Sequence, residues 1–544
     1  MEHYLLIGPT DLTATITPNK EHQWHYAAPG SVKALLTKLA PKPTPKKKGQ
    51  SEPTKTQQPK VKPKPPVRSF AGAYFASCPT DEDLRVLFKF VDSYRVACAP
   101  EVLTAVTSPL AQDYFKCKVV RPLSLTEWPQ IVEWLQTRLF EDQGGGKTGV
   151  KHDPSMFEPA PGYRGSLEFN GFVSVELEAD FGNEYRPVGT YRWGSYIDPG
   201  KLIKIWPEYS HSAGVALRMV VYESPVGDPY NFTKRWVFDE EQMVDQVVVP
   251  GAKAKGTLCV TFEAKGQGWL SLGNVHFRWS RYEMGEFLPG GGRIVDHDRR
   301  EVNYYFNPGD LKPPLNVYFS GYRTAEGFEA FYMMRSFGAP FLLFADPRLE
   351  GTGFYLGSPE FEAQIKDRIK QTLDWLGFDH HQLNTSGLSA GTFGALYYGS
   401  QLGAHSIIIG KPLANLGDVA QKEQSVRYGG FPTSLDVANL HTSLEVQRAG
   451  RKAIVKAMNQ RFWQVFDQAD LDETQLMLTY MRQDDYDDKT YHDMLAHLAT
   501  TGKHPYLISR GLNGHHNDGA AETVTWFKKQ YLTMMERDFN RRKD

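Results

Sequence analysis

The period of apolar and polar positions changes along this 544-residue chain, and the changes predict successive structural parts. Near the N-terminus, the apolar runs HYLLIG, FAGAYFAS, YRVACAP and CKVVRPL predict short buried strands. TEWPQIVEWLQTRLFED predicts an amphipathic helix, because Ile131, Leu135 and Leu139 recur at four-residue spacing. Together these elements predict a small N-terminal α/β domain over residues 1–142.

A segment rich in proline and lysine, PKPTPKKKGQSEPTKTQQPKVKPKPPV at 41–67, interrupts this domain. It has almost no acidic residues, and valine is its only large apolar residue type. Such a segment cannot bury enough surface to offset the entropy lost on ordering. We therefore expect a disordered, extended insertion, which is either a solvated linker or a contact for an acidic partner or lipid head groups.

A period of two characterises residues 163–285. In VSVELEADF, Val173 and every second residue after it form an apolar face, whereas Ser174 and its alternate neighbours are polar. Evenly spaced strands of this kind, separated by Gly/Pro turns, predict a β-sandwich that resembles a carbohydrate-binding module. Exposed aromatics such as Trp193 and Trp206 could stack on sugars, although tryptophans in a core are commoner.

Residues 300–544 alternate between predicted strands and helices. The runs LNVYFSG, PFLLFAD, HSIIIG, QLMLTYM and YLISRG predict buried strands, and long amphipathic helices are predicted from Glu360 and from Ala520. This alternation is typical of a doubly wound parallel sheet with helices on both faces. The predicted fold class is therefore α/β, with a C-terminal α/β-hydrolase-like domain over 300–544, a central β-sandwich and a small N-terminal α/β domain.

Composition narrows the classes of partner. Lys and Arg together number 62 and Asp and Glu 63, so the net charge creates no overall electrostatic attraction to nucleic acid. The cysteines lack a CxxC pair and are expected to be free thiols in a reducing compartment. The N-terminus has no basic leader, and no window approaches the ~18 apolar residues of a membrane helix. We expect a soluble cytoplasmic protein. The cysteines are Cys78, Cys98, Cys117 and Cys259.

The run GGGKTG at 144–149 resembles the end of a phosphate-binding loop. The motif requires a glycine where Glu141 stands and a strand where a helix is predicted. We therefore predict a linker here and no nucleotide site.

The strongest candidate for chemistry is NTSGLSAGTFGALYYG, which contains GxSxG around Ser389. In a strand-to-helix turn this motif raises a serine hydroxyl above the carboxyl edge of a sheet. The flanking segments predict a weak strand followed by a good helix. The alternative is a small residue in a glycine-rich loop, so the motif alone does not decide the function.

Residues at two later strand ends complete a triad pattern. Asp484 and Asp485 follow the strand QLMLTYM, and His515 and His516 follow YLISRG. The order Ser, acid, His at successive strand ends is that of a serine hydrolase of this fold. Individually, the aspartates could belong to a solvated loop or a helix cap. A metal site is not predicted, because no third ligand stands at metal spacing.

A serine nucleophile also needs backbone N–H donors for the oxyanion. Ala390 directly follows Ser389 at the start of the predicted helix, where the helix dipole favours negative charge. VYFSGYRTAEGF, which follows an earlier strand, offers Gly321 and Tyr322 as the second donor.

Long runs in the C-terminal half resemble a known family. SGLSAGTFGALYYG, GKPLANLGDVA, YMRQDDYD and GHHNDG, with FNPGDLKPPLNVYFSGYRTAEGF, are similar to the second of the accessory secretory proteins of the Gram-positive accessory Sec system. The resemblance implies a cytoplasmic protein at the inner face of the membrane, in a complex with the other accessory secretory proteins and the accessory Sec ATPase. It also implies export of glycosylated serine-rich-repeat adhesins and O-acetylation of their N-acetylglucosamine.

Carried over to this chain, the resemblance implies Ser389 as nucleophile, His516 as base and Asp484 as acid, with Asp485 as the alternative acid. No bound cofactor is expected, and an acetyl donor such as acetyl-CoA would be a co-substrate. Two alternatives stay open: a non-catalytic scaffold or chaperone of the export complex, and a carbohydrate esterase.

Overall fold

The computed structural model describes residues 1–40, 67, 69–148, 151–228, 231–251 and 254–541. The predicted insertion at 41–67 lies outside the described residues except for Val67. The chain divides into two compact units, 1–141 and 142–544. The finer division of the second unit into a β-sandwich and a hydrolase-like domain stays a prediction.

Parallel strands form the sheet of the first unit, in the order β2-β1-β3-β4-β5. Its strands are β1 (Glu2–Ile7), β2 (His22–Ala27), β3 (Gly72–Phe75), β4 (Val96–Cys98) and β5 (Arg121–Pro122). Its helices are α1 (Val32–Leu39), α2 (Asp81–Leu87), α3 (Pro100–Ala105), α4 (Pro109–Lys118) and α5 (Trp128–Arg138), with a 3₁₀ turn at Thr13–Thr15.

Apolar periodicity correctly located β1, β3, β4 and α5, whereas β2 and α1 to α4 were not predicted. The side chains from Tyr4 to Ile7 are fully buried, and Ile131 and Leu135 form the buried face of α5. The strand predicted for CKVVRPL is wrong over most of its length. Cys117 instead lies in the last turn of α4. Ser108 caps the start of that helix by accepting the Ala111 N–H, and Val119 ends it in the left-handed conformation.

Antiparallel strands open the second unit, and the long strand β15 pairs with β6, β9, β10, β11 and β12. The strands are β6 (Gly145–Thr148), β7 (Phe157–Pro159), β8 (Gly165–Asn170), β9 (Ser174–Tyr191), β10 (Ser195–Ile197), β11 (Ile203–His211), β12 (Val215–Pro225), β13 (Lys234–Asp239), β14 (Val247–Val249) and β15 (Gly256–Trp279). The turns Gln242–Val244 and Tyr282–Met284 are 3₁₀. We call this region the antiparallel sheet.

Two details differ from expectation. The linker predicted for GGGKTG is wrong, because Gly145–Thr148 is a strand paired with Val275–Arg278 of β15. Trp206 is not an exposed platform: it is 3% exposed and donates its indole N–H to the Arg299 carbonyl. Trp193, by contrast, is 65% exposed.

The remaining strands form a mixed sheet in the order β16-β17-β19-β18-β20-β21-β22-β23, parallel from β19 onward. They are β16 (Gly291–Val295), β17 (Glu301–Asn307), β18 (Leu315–Phe319), β19 (Phe341–Ala345), β20 (Leu383–Leu388), β21 (Ser406–Gly410), β22 (Gln475–Met481) and β23 (Tyr506–Leu512). The helices are α6 (Phe331–Phe337), α7 (Pro359–Leu376), α8 (Gly391–Gln401), α9 (Leu416–Ser425), α10 (Thr433–Leu440), α11 (Leu444–Arg448), α12 (Arg451–Gln468), α13 (Thr490–Thr501) and α14 (Ala520–Phe539), with a 3₁₀ turn at His380–Gln382.

Helices cover both faces of this parallel sheet. Alternate residues of β20 show it: Thr385 donates to Ala395 O in α8, whereas Ser386 accepts a hydrogen bond from Tyr531 of α14. The α/β class is therefore confirmed. Within the described ranges, no helix combines the length and apolar character that a membrane crossing needs.

Candidate active site

Ser389 lies on a sharp turn between β20 and α8. Its φ is +52°, a left-handed conformation that non-glycine residues seldom adopt. Its N–H donates to Gly410 O at 2.9 Å, which ties the turn to the end of neighbouring β21. A strand, a left-handed serine and a helix in succession form the geometry of a nucleophile elbow.

Close backbone approach explains the glycines around Ser389. A Cβ on Gly387 would lie 2.3 Å from Gly391 O, and a Cβ on Gly391 would lie 2.1 Å from Phe319 O. Real side chains cannot occupy either space without moving backbone. Glycine at these positions lets β20, α8 and the end of β18 meet at the serine.

The loops after β22 and β23 bring Asp484 and His516 to the serine. The Ser389 hydroxyl lies 2.8 Å from His516 Nε2, so it can donate to that nitrogen. His516 Nδ1 lies 2.9 Å and 3.2 Å from the Asp484 carboxylate oxygens. The His516 and Asp484 side chains are each 3% exposed. The three side chains form one hydrogen-bonded chain.

The two neighbouring aspartates make different contacts with His516. Asp484 faces the imidazole ring, and its Oδ1 also accepts the N–H groups of Tyr486 and Asp487, at 2.8 Å and 3.1 Å. Asp485 accepts the His516 backbone N–H at 2.9 Å. Only the Asp484 carboxylate therefore contacts the ring and can orient it, whereas Asp485 fixes the loop.

Further contacts around His516 were not expected from the sequence. The Tyr486 ring lies 4.4 Å from the imidazole, and the Arg427 guanidinium lies 3.3 Å from the centroid of that tyrosine ring. Lys411 Nζ donates to His516 O at 2.5 Å. Burial lowers the pKa of Lys411, against the opposing effect of Asp484 and Asp518. The available signal was position: Lys411 directly follows β21, at the same edge of the sheet as Ser389.

The predicted oxyanion donors are not equivalent. Gly321 N–H already donates to Glu329 Oε2 at 2.9 Å, so the expectation that it serves as a free donor is corrected. Across the described segments, the N–H groups of Tyr322 and Ala390 have no acceptor. These two amides therefore are the candidates for stabilising an oxyanion.

Acidic, histidine and cysteine side chains are the groups that bind metal ions most often in proteins. In the part of the chain that the structure describes, no three of them come together as a metal site requires.

Comparison with known proteins identifies the relationship. Residues 3–541 match the family model described as "Accessory Sec system GspB-transporter". An accessory Sec system protein of Staphylococcus aureus is 39% identical over 425 residues, which are 78% of this chain and 79% of the relative. One of Streptococcus gordonii is 37% identical over 439 residues, 81% and 84% of the two chains.

A solved structure matches over the whole length. A chain of the Glycosylation Associate Protein (Gap123) complex from Streptococcus agalactiae superposes with a TM-score of 0.83 at 30% identity, covering 100% of this chain and 99% of that one. The family match spans both compact units. This chain therefore belongs to the accessory Sec system GspB-transporter family.

Proposed function

We propose that this protein transfers acetyl groups to N-acetylglucosamine on serine-rich-repeat glycoprotein adhesins and supports their export through the accessory Sec system. Ser389 would be the nucleophile, His516 the general base and Asp484 the orienting acid. The observation that supports this role most directly is the hydrogen-bonded chain from the Ser389 hydroxyl through both His516 nitrogens to Asp484.

The first half-reaction would acetylate Ser389. His516 Nε2 takes the hydroxyl proton while Oγ attacks the carbonyl carbon of an acetyl donor such as acetyl-CoA. Asp484 stabilises the imidazolium, and the Tyr322 and Ala390 amides face the carbonyl oxygen as it becomes negative. Collapse of the intermediate breaks the bond to the leaving group, which receives the proton from His516.

The second half-reaction would regenerate the enzyme. A sugar hydroxyl loses its proton to His516 Nε2 and attacks the acetyl-Ser389 carbonyl, and the proton then returns to Ser389 Oγ. Water in place of the sugar would give an esterase by the same steps. Acceptor binding, rather than the triad, therefore determines which activity dominates.

A scaffold role is the second candidate. It is supported by the match over the whole length to a chain of a multi-protein complex, since a chain of this fold could serve assembly without catalysing a reaction. On this proposal the protein acts at the cytoplasmic face of the membrane with the other accessory secretory proteins, the accessory Sec ATPase and the adhesin. Catalysis and scaffolding can coexist and need separate measurements.

Replacing Ser389 tests the catalytic proposal. In the full complex with adhesin, Ser389→Ala should reduce adhesin-linked acetate by about 10³-fold or more, as measured by mass spectrometry, because nucleophile loss removes most triad catalysis. Ser400→Ala is the matched control: its hydroxyl is buried in α8 and has no hydrogen-bond partner among the described residues. The control should keep full acetylation.

Export of the adhesin is measured in the same strains. Normal acetylation by the Ser389→Ala protein would reject the catalytic proposal. Loss of acetate with unchanged export would separate catalysis from the scaffold role. Release of acetate by the isolated protein from acetylated sugar, with no transfer in the complex, would instead identify an esterase.

A further inference from the structure

We infer that the antiparallel sheet positions the oxyanion hole: a buried contact of Glu326 with His276 and Arg278 holds the segment 320–329 so that the Tyr322 N–H faces the acyl group. We call these three residues the Glu326 anchor. They are positioning residues in this inference, which rests on the proposed acyl transfer and adds a role for a sheet outside the catalytic fold.

The segment begins beside the nucleophile. It follows β18, whose last residue, Phe319, is paired with Gly387 of β20. A Cβ on Gly321 would lie 3.0 Å from Leu388 O, the carbonyl of the residue before Ser389. The segment therefore starts beside the elbow, with no room for a side chain between them.

The backbone N–H groups on either side of Tyr322 already have acceptors. Gly321 N–H donates to Glu329 Oε2, and Arg323 N–H donates to Gly351 O at 3.2 Å. Tyr322 N–H, between them, has no acceptor among the residues described. The Tyr322 N–H therefore lies between two bonded amides, one of which is held by Glu329 of the same segment, so its direction follows from the path of the segment.

Glu326 joins the segment to β15 through a buried carboxylate. His276 Nδ1 lies 2.5 Å from Glu326 Oε1, and Arg278 Nε donates to Oε2 at 3.1 Å. The three side chains are 1% exposed or less. Each carboxylate oxygen thus has its own donor from β15, so the carboxylate can neither rotate nor exchange with water.

The donors of the anchor are themselves fixed. His276 Nε2 lies 3.1 Å from Glu208 Oε1 of β11, and Arg278 also contacts Glu301 of β17. Burial opposes ionisation of Glu326, yet His276 and Arg278 outweigh it and hold the pKa of Glu326 at about 2. The Glu326 carboxylate therefore stays ionised and hydrogen-bonded at neutral pH.

Contacts of Phe328 and Glu329 fix the end of the segment. Phe328 N–H donates to Gln143 Oε1 at 2.6 Å, and the Phe328 ring packs edge-on against Phe287, with centroids 5.9 Å apart. Glu329 Oε2 also accepts the Tyr318 hydroxyl at 3.2 Å. With both ends held, Glu326 is the contact through which the antiparallel sheet determines the path of the exposed middle of the segment.

Glu326→Gln is designed to displace the segment with little change in volume. The glutamine oxygen can still face His276, but its NH₂ group would then point at the Arg278 Nε–H, which leaves two donors opposed. A shift of ~1 Å in a catalytic donor costs about 10²-fold. In the full-length protein we expect the maximal rate of Ser389 acylation by p-nitrophenyl acetate to fall roughly 10- to 100-fold.

The half-saturating ester concentration should stay within twofold, because the anchor does not touch substrate. Glu263→Gln is the matched control. Glu263, which lies in β15, is buried like Glu326 and accepts a hydrogen bond from Arg218 Nε at 2.5 Å. No contact among the described residues links it to the segment 320–329. A general loss of stability would lower the melting temperature of both variants, whereas a positioning role slows acylation only in Glu326→Gln.

Arg278→Lys covers the case in which Glu326→Gln does not fold. It keeps the charge but replaces the directed Nε–H with a rotating ammonium, and should slow acylation several-fold. Acylation within twofold of wild type in a folded anchor variant would overturn the inference. Wild-type protein with no Ser389-dependent acylation would instead overturn the proposed function, so the two failures are distinguishable.

Discussion

Two buried histidines of the second unit each contact carboxylates, but their second ring nitrogens differ. His516 has Asp484 at Nδ1 and the Ser389 hydroxyl at Nε2. His276 has carboxylates at both nitrogens, Glu326 and Glu208. A neutral imidazole offers one donor and one acceptor, so only His516 has a nitrogen that can accept a hydroxyl proton. The comparison teaches that a buried His–carboxylate pair indicates a base only when the other nitrogen faces a hydroxyl.

The surroundings match these different roles. Burial would lower the pKa of His276, but Glu326 and Glu208 outweigh it and raise the pKa. His276 lies inside β15, where its backbone is paired on both sides, whereas His516 follows β23 in a loop at the carboxyl edge of the sheet. A histidine within a strand, with a carboxylate at each ring nitrogen, suits support, and a histidine at a strand end suits proton transfer.

Asp484→Asn should lower the acylation rate more than any substitution at Asp485, Glu326 or His515. An amide cannot stabilise the imidazolium and can favour the wrong tautomer of His516, so the maximal acylation rate should fall about 10⁴-fold. The rate is measured with p-nitrophenyl acetate under burst conditions. Melting temperature serves as a check that the variant is folded.

Asp485→Asn is the control for that substitution. The asparagine side chain would keep an oxygen for the His516 N–H, so the rate should fall less than tenfold. A larger fall in Asp485→Asn than in Asp484→Asn would reverse the assignment of the acid.

The pH dependence of stability sharpens the other side of the comparison. Because the pKa of Glu326 falls from an ordinary 4.5 to about 2 on folding, its contribution is present above pH 4.5 and is lost as the pH falls toward 2. Between these values the stability advantage of wild type over Glu326→Gln should shrink by about 1.4 kcal/mol per pH unit.

Thermal unfolding of both proteins at pH 7, 5, 4 and 3.5 gives the measurement. Lys147, which also faces Glu326, stays positively charged or gains charge as the pH falls, so it does not reverse the sign. A difference between the two proteins that stays constant from pH 7 to 3.5 would show that Glu326 does not carry a lowered pKa.

The sequence was most informative where chemistry sits at strand ends. Asp484 and His516 could be proposed because each follows a recognisable apolar strand, and Ser389 because it stands in GxSxG before a good helix, in the order of a known triad. The choice between Asp484 and Asp485 could not be made, since one residue of shift exchanges a ring contact for a backbone contact. Gly321 was predicted as a donor because it follows an earlier strand, and nothing local in the sequence shows that Glu329, eight residues later, accepts its amide.

The Glu326 anchor had no signal in the sequence. Glu326 lies 50 residues from His276, and His276 lies 68 residues from Glu208, so only the fold brings them together. His276 and Arg278 alternate with the core residues Val275 and Phe277, so alternation along β15 predicts that they are exposed, yet both are fully buried. Burial of charge at mid-strand depends on partners from distant segments, and periodicity does not report partners.

The smallest effect should come from His515, the residue beside the proposed base. Its exposed ring contacts a backbone carbonyl, through Nδ1 at 2.9 Å from Gln483 O, and has no carboxylate partner among the described residues. His515→Gln keeps a donor for that carbonyl, so the acylation rate should change less than threefold and the free energy of unfolding by less than about 0.5 kcal/mol. His516→Gln, made in parallel, should abolish acylation. If His515→Gln proved as inactive as His516→Gln, the carboxylate contact would no longer distinguish the base from its neighbour, and the comparison between the histidines would lose its meaning.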